Sequence, residues 1–271
     1  MNLDIIIATA GNIESKKFSL YYTIRSIMSQ SKQPKSINIV VNDSVDAIKD
    51  KVISEFGEFV NVIDGTSKSN NISYARNLGV KVTDSEILLF MDDDVVIGRN
   101  DFFEEIIEKM QHIDFYCGAT RLWTTVNWDR YIQKSYSINH IQQILKYKSY
   151  LPKSIDRNTG QLSFHEFSYI GHFGAIKRDV FNRIGGFDEE YKEWSYQDTD
   201  LMMRLCIGKY NYQLMSNDNI YIYHLSHEVD KSNYSQINKK RFHEKQNELG
   251  IKFHLNHFFG IFDDDEYAIL S

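Results

Sequence analysis

The sequence predicts an α/β protein with a parallel sheet flanked by helices, and three observations predict it. Short apolar runs bounded by polar residues recur at Asp4–Ala8, Ile37–Val41, Val60–Ile63 and Ile87–Met91, as expected of strands buried on both faces. Helix-length segments separate them, which is the alternation of a parallel sheet with crossover helices. The 271 residues are 42% hydrophobic and 25% charged, with 14 Gly and 2 Pro. That composition supports one large core and excludes collagen-like, low-complexity and disulfide-scaffold classes.

In chain order, Phe18–Gln30 places Leu20, Ile24, Ile27 and Met28 at helical spacing, and Ala47–Phe56 does the same with Ile48, Val52 and Phe56. In such sheets the ligand crevice lies beyond the carboxyl ends of the strands, here the loops Thr9–Glu14, Asn42–Asp46 and Asp92–Gly98. From Arg121 to His165 the pattern turns irregular and basic, with Trp123, Trp128, Tyr131, Tyr136, Tyr147 and Tyr150 interleaved. A strand-like run, Ser168–Ile176, precedes a helix opening near Asp179 and a turn at Gly185-Gly186. Thr199–Cys206 reads as a helix and Ile220–Leu225 as a strand. Tyr234–Leu249 reads as a polar helix stopped at Gly250.

Net charge is 31 − 37 = −6, which provides no global positive field for nucleic acid. The 2 cysteines, Cys117 and Cys206, form no metal-knuckle or redox spacing and read as buried thiols. The opening MNLDIIIATAG lacks the basic and long apolar regions of a signal peptide, and no apolar run reaches the ~20 residues of a spanning helix. The expectation is a reduced, cytoplasmic protein, peripheral at the inner membrane face at most. Neither GxxxxGK[ST] nor GxGxxG occurs, which argues against P-loop ATPases and dehydrogenases.

The chemistry concentrates at Asp92-Asp93-Asp94, which directly follows an apolar strand. Clustered carboxylates repel unless a cation sits among them, and oxygen ligands of this kind suit Mg²⁺ or Mn²⁺ together with substrate phosphates. A second triplet, Asp263–Asp265, reads as a solvated tail. With its Asp-x-Asp after an apolar strand, the chain resembles the family 2 glycosyltransferases of the GT-A fold. The resemblance implies a GT-A type, Rossmann-like mixed and mainly parallel sheet flanked by helices, in one domain with a C-terminal helical extension. It divides the chain into a nucleotide-sugar-binding half (1–120), an acceptor-binding and catalytic half (121–230) and the extension (231–271). Asp4–Asn12 looks like the family's first strand and nucleotide loop, which implies donor contacts from Thr9, Ala10 and Asn12. Asn42-Asp43-Ser44 stands where the family often has Asp-Asp-Gly-Ser, so Asp43 takes the uracil or ribose role. Ser73–Gly79 is similar to the Ala-Arg-Asn-x-Gly signature near the donor diphosphate, with Arg76 and Asn77 as its functional candidates and Asp92 and Asp93 completing the donor set.

In the second half, Phe173–Ile176, Gly185–Glu190 and Trp194–Leu201 resemble the C-terminal module of beta-1,4-galactosyltransferases and chondroitin-type polymerases. The resemblance makes Asp198 the catalytic base and Trp194 a sugar platform, with Tyr196 and Gln197 on the acceptor side. Ser195-Tyr196 replaces that module's Gly-Gly, and Gln197 replaces its Glu. Asp200 is a competing base, better read as a structural acid at a helix start. The chemistry points to two acidic stations independently: one carboxylate must take the acceptor's proton while another set holds charge on the leaving diphosphate.

Among 9 histidines, His227 lies in a stretch similar to the galactosyltransferase metal-ligand segment. The implied metal set is therefore Asp92, Asp94 and His227, with His224 as runner-up, holding Mn²⁺ or Mg²⁺. The expected function is an inverting, metal-dependent transfer of a sugar from a UDP-sugar to a hydroxyl of a glycan or lipid-linked glycan, forming a beta linkage in surface-polysaccharide synthesis. The resemblance favours galactose or N-acetylgalactosamine, with glucose and N-acetylglucosamine open. The alternative is a catalytically silent sugar-nucleotide or glycan-binding partner. A nucleotidylyltransferase would want a basic, glycine-rich loop after the first strand, which Ala8–Glu14 is not.

Overall fold

A computed structural model describes residues 1–9, 14–124, 137–150, 169–192, 195–218, 220–225 and 236–253. Asp263–Asp265 lie outside these residues. The first half alternates β1 (Leu3–Thr9), α1 (Glu14–Met28), β2 (Ser36–Val41), α2 (Asp46–Phe56), β3 (Val60–Asp64), α3 (Ile72–Lys81) and β4 (Ile87–Asp92). Every residue of β1 is buried, which is why Ile5-Ile6-Ile7-Ala8 is a continuous apolar run rather than an alternating one. On α1, Leu20, Ile24 and Ile27 are buried while Met28 is 37% exposed. The apolar stripe follows 3.6-residue periodicity and leaves Met28 beside it rather than on it.

The chain continues through β5 (Val95–Ile97), α4 (Phe102–Lys109), β6 (Phe115–Cys117), β7 (Thr120–Thr124), α5 (Ile138–Lys148), β8 (Ser149–Tyr150) and β9 (Phe173–Lys177). It then forms α6 (Arg178–Arg183), α7 (Gln197–Ile207), β10 (Tyr212–Leu214), β11 (Tyr221–His224) and α8 (Gln236–Glu248). Seven strands make the main sheet in the order β10-β6-β9-β4-β1-β2-β3, in which β9 runs antiparallel to both β4 and β6. A second sheet has the order β5-β11-β7-β8.

Two expectations need correction. The segment Asp92–Gly98 is not an open loop, because Val95-Val96-Ile97 is a fully buried strand and only Asp93-Asp94 form the turn. The Arg121–His165 insert is not irregular throughout. Arg121 belongs to β7, and α5 presents Ile138, Ile141 and Leu145 at helical spacing to a cluster with Tyr22, Val96 and Tyr223. Its basic composition hid that stripe. Helix α5 thus packs against residues of the small sheet.

The order β2-β1-β4 places β1 between strands reached by opposite crossovers, so the crevice opens at the carboxyl ends of β1 and β4. Ala8 pairs with Asp92 there. Helix α3 packs closely over this point: a Cβ on Gly79 would come within 2.5 Å of Ile6. Only glycine allows the approach that delivers Arg76, three residues earlier, to the strand ends.

Candidate active site

Arg76 is 2% exposed and stands at the centre of the crevice. Its Nη1 donates to Asp198 Oδ1 at 3.1 Å and its Nη2 to Asp92 Oδ1 at 3.2 Å. The Phe187 ring lies under the guanidinium at 5.1 Å. One side chain therefore ties the end of β4 to the start of α7. Asp198 Oδ1 also accepts from the Gly171 backbone N–H at 3.0 Å. A Cβ on Gly171 would fall 2.1 Å from that oxygen and 2.3 Å from Arg76 Nη1, so the contact requires a glycine.

His172 follows directly. Because β9 runs antiparallel to β4, its entry meets the exit of β4, and Asp92 N–H donates to the His172 carbonyl at 2.9 Å. His172 Nε2 lies 3.9 Å from Asp92 Oδ2 and 3.7 Å from Asp198 Oδ2, between the two stations. Burial pushes its pKa down, outweighing the pull of the two carboxylates, so the imidazole is held neutral.

The turn that carries Asp198 is unusual in its backbone. Ser195 and Tyr196 have φ of 119° and 64°, values that glycine adopts freely and other residues do not. These are the two positions at which the resembled module has Gly-Gly. Here neighbouring groups hold two non-glycine residues in that conformation. Gln197 Oε1 accepts from Ser195 N–H, and the Tyr196 ring packs on Phe242. Asn238 on α8 is fully buried; it accepts from Lys192 N–H and donates to the carbonyls of Lys192 and Ser195. Arg241 and Lys245 pair with Asp188, and Lys245 also with Asp200. One face of this helix, carrying Asn238, Arg241 and Lys245, thus clamps the site, while Lys239 and Lys240 are exposed as its composition suggests. Asp200 is fully buried among Tyr191, Arg204 and Lys245, an arrangement suited to architecture.

At the turn after β4, Asp93 is buried and accepts from the Thr9 hydroxyl, while Thr23 donates to its carbonyl. Asp94 Oδ2 lies 3.4 Å from His224 Nε2. The Trp123 ring packs on His224 at 4.4 Å, and the Arg121 guanidinium lies over Trp123 at 4.9 Å. Burial pulls the Arg121 pKa down against the attraction of Asp92 and Asp94.

The other predicted residues distribute as follows. Asp43 is half-buried in the bend after β2, next to Asn42, whose N–H bonds to the Thr9 carbonyl. Asn77 directs its amide to the Phe187–Glu189 loop, donating to Phe187 O and Glu189 Oε1 and accepting from Phe187 N–H. Ala10, Asn12, Trp194 and His227 lie outside the described residues. Sequence reasoning missed Gly171, His172 and Asn238. The Gly-His pair ahead of an apolar run was a signal for the first two, and nothing in the local sequence marked Asn238.

A divalent ion is the cofactor that this fold implies. Among the described residues no group of three or more acidic, histidine or cysteine side chains is placed to hold a metal ion by itself. Asp94 Oδ2 and His224 Nε2 nevertheless stand 3.4 Å apart, an oxygen and a nitrogen donor side by side, with Asp92 at the end of β4. That set suits Mn²⁺ or Mg²⁺ when phosphate oxygens complete the shell.

The crevice sits at the switch point of a mixed, mainly parallel sheet with acids at two stations, and the sequence supplies the class: residues 5–185 match glycosyl transferase family 2, to which the chain belongs. Residues 156–228 match the pattern described as the N-terminal domain of galactosyltransferase. A glucosyl-dolichyl phosphate glucuronosyltransferase of Haloferax volcanii is 24% identical over 190 residues, covering 69% of this chain and 56% of the relative. The S. aureus TarS 1-349 structure in complex with UDP-GlcNAc superposes with a TM-score of 0.61 at 17% identity, covering 95% of this chain and 69% of that one. TarS 1-349 without a named ligand gives 0.56 at 16% identity, over 83% and 60%. The chain thus spans little more than half the length of the curated relative. The shared architecture is the mixed, mainly parallel sheet flanked by helices. No helix among the described residues is long and apolar enough to cross a membrane.

Proposed function

We propose that this chain transfers a sugar from a UDP-sugar to a hydroxyl of a glycan acceptor with inversion at the anomeric carbon. The observation that carries the proposal is Arg76, whose guanidinium joins Asp92 at the donor end of β4 to Asp198 at the start of α7. The UDP-GlcNAc complex of the similar TarS supports a UDP-linked donor, and the relatives leave N-acetylglucosamine, glucose and glucuronate beside galactose and N-acetylgalactosamine as sugars to test.

Asp198 is the base. Its Oδ1 is held by Arg76 and the Gly171 N–H, so Oδ2 is the oxygen left to face an acceptor hydroxyl. As the acceptor oxygen attacks, its proton passes to Asp198 Oδ2, the new C–O bond forms and the bond to the diphosphate breaks on the opposite face. An alpha-linked donor gives a beta product. Asp92, Asp94 and His224, with His227 as a further candidate, would hold the divalent ion, which when bound supplies positive charge to the leaving diphosphate. Thr9, Asp43 and Asp93 are the nucleotide-side candidates and Tyr196 and Gln197 the acceptor-side ones, with Trp194 the sugar platform that the resemblance implies; Gln197 also secures its own turn.

The test is UDP release from a panel of UDP-sugars, with Mn²⁺ and with EDTA, for the native chain and Asp198→Asn. Metal-dependent release from one sugar, slowed about 100-fold or more by Asp198→Asn with UDP binding retained, is expected. If no UDP-sugar is bound or cleaved, the proposal fails. Tight binding with no turnover on any glycan acceptor would instead make the chain a silent binding partner.

A further inference from the structure

Arg121 is 8% exposed, and its Nε finds no hydrogen-bond partner among the described residues. Asp92 and Asp94 act on it only through space. Two residues on, and so on the same face of β7, the buried Trp123 Nε1 lacks a partner among those residues as well. Guanidinium N–H and indole N–H are donors only, so what both want is an acceptor. Because one of the donors is a cation in a desolvated place, the acceptor that balances it is an anion. The pair lies on the diphosphate side of the crevice, since Trp123 packs on His224 and His224 faces Asp94.

We propose that Arg121, with Trp123 beside it, is the receptor for an anionic oxygen group of the nucleotide-sugar, either the diphosphate or a carboxylate carried by the sugar. The inference rests on the UDP-sugar reading above and adds to it the group that fixes the donor's class. A forked guanidinium on an indole face accepts either anion bidentately, and a lysine does not reproduce it.

Calorimetry with UDP, UDP-glucose and UDP-glucuronate on the native chain and on Arg121→Met decides the matter. Loss of affinity of tenfold or more for all three assigns Arg121 to the diphosphate. A tenfold loss confined to UDP-glucuronate assigns it to the sugar carboxylate. Unchanged affinity for all three overturns the proposal. Without ligand, Arg121→Met should melt at or above the native temperature, because a buried, desolvated Nε–H without an acceptor among the described residues has been removed. If that variant does not fold, Arg121→Gln and Arg121→Lys serve in its place, with the lysine expected to recover only part of the affinity. If the native chain binds none of the UDP compounds, the donor reading itself has failed. Inorganic pyrophosphate then decides: a thermal shift in the native chain that is absent in Arg121→Met keeps the receptor, and no difference removes it.

Discussion

Arg76 and Arg121 are both buried guanidinium groups in one crevice, and the fold treats them differently. Arg76 spends Nη1 on Asp198 and Nη2 on Asp92, over the Phe187 ring. Arg121 rests on Trp123 with its Nε unpartnered among the described residues. A buried donor left unmade costs about 1–3 kcal/mol, and more when charged. The difference teaches where the molecule keeps structure and where it keeps capacity for a ligand. Arg76 holds the two halves of the site together, whereas the deficit at Arg121 is the kind that functional sites carry and the rest of the fold offsets.

The largest expected effect breaks this contrast most directly. Arg76→Met strands Asp92 and Asp198 without their shared cation and should destabilise the fold by about 3–5 kcal/mol, as loss of one partner of a buried ion pair does. Urea denaturation compared with Arg121→Met is the check. Arg76→Met should lose stability that Arg121→Met keeps, and a neutral Arg76→Met would dissolve the distinction between them.

Legibility in the sequence followed the same divide. Strands β1, β2 and β4 could be read because burial on both faces makes them mostly apolar with clear ends, and the edge strand β3 because Val60 and Val62 alternate with the exposed Asn61. The three-residue strands β5, β6 and β10 could not, since so few residues show no period. Helix α5 was hidden because its apolar stripe is interrupted by polar and basic residues. At the site, Asp92 and Asp198 stood out as acids in recognisable runs. His172 did not, because it reaches Asp92 through antiparallel pairing of β9 with β4, a relation absent from local sequence. Asn238 lies 43 residues from the Ser195 carbonyl it binds, within a segment whose composition reads as solvated.

A smaller effect sharpens the contrast from the satisfied side. Asn238→Ala removes a fully buried amide that holds Lys192 by both backbone groups and Ser195 by its carbonyl. Unmaking these bonds should cost about 1–3 kcal/mol. If the amide also positions Asp198 through the strained 195–196 turn, kcat for sugar transfer should fall further than the loss of folded protein explains, with KM for the donor little changed. Asn238→Asp, which retains the acceptor for Lys192 N–H and loses the donors, should restore less than half of the stability. Equal losses of kcat and folded fraction would leave Asn238 a structural residue only.

The smallest effect concerns pH and tests the neighbouring charge network. Burial alone would raise the Asp188 pKa, but hydrogen bonds from Lys245 and Arg241 outweigh it and bring the value from 3.8 to about 2. A carboxyl depressed in the folded state stabilises it fully above its unfolded pKa near 4. That contribution is lost as pH falls through about 2. The difference in urea midpoint between the native chain and Asp188→Asn should therefore be full at pH 7 and narrow steadily from about pH 4 towards pH 2. Because Arg241 and Lys245 lie on the helix that carries Asn238, the same narrowing should appear in the melting of α8 followed by hydrogen exchange. A difference that stays constant across this range would mean that Asp188 contributes packing and not charge, and that α8 is held at the site by Asn238 and Phe242 without help from its cations.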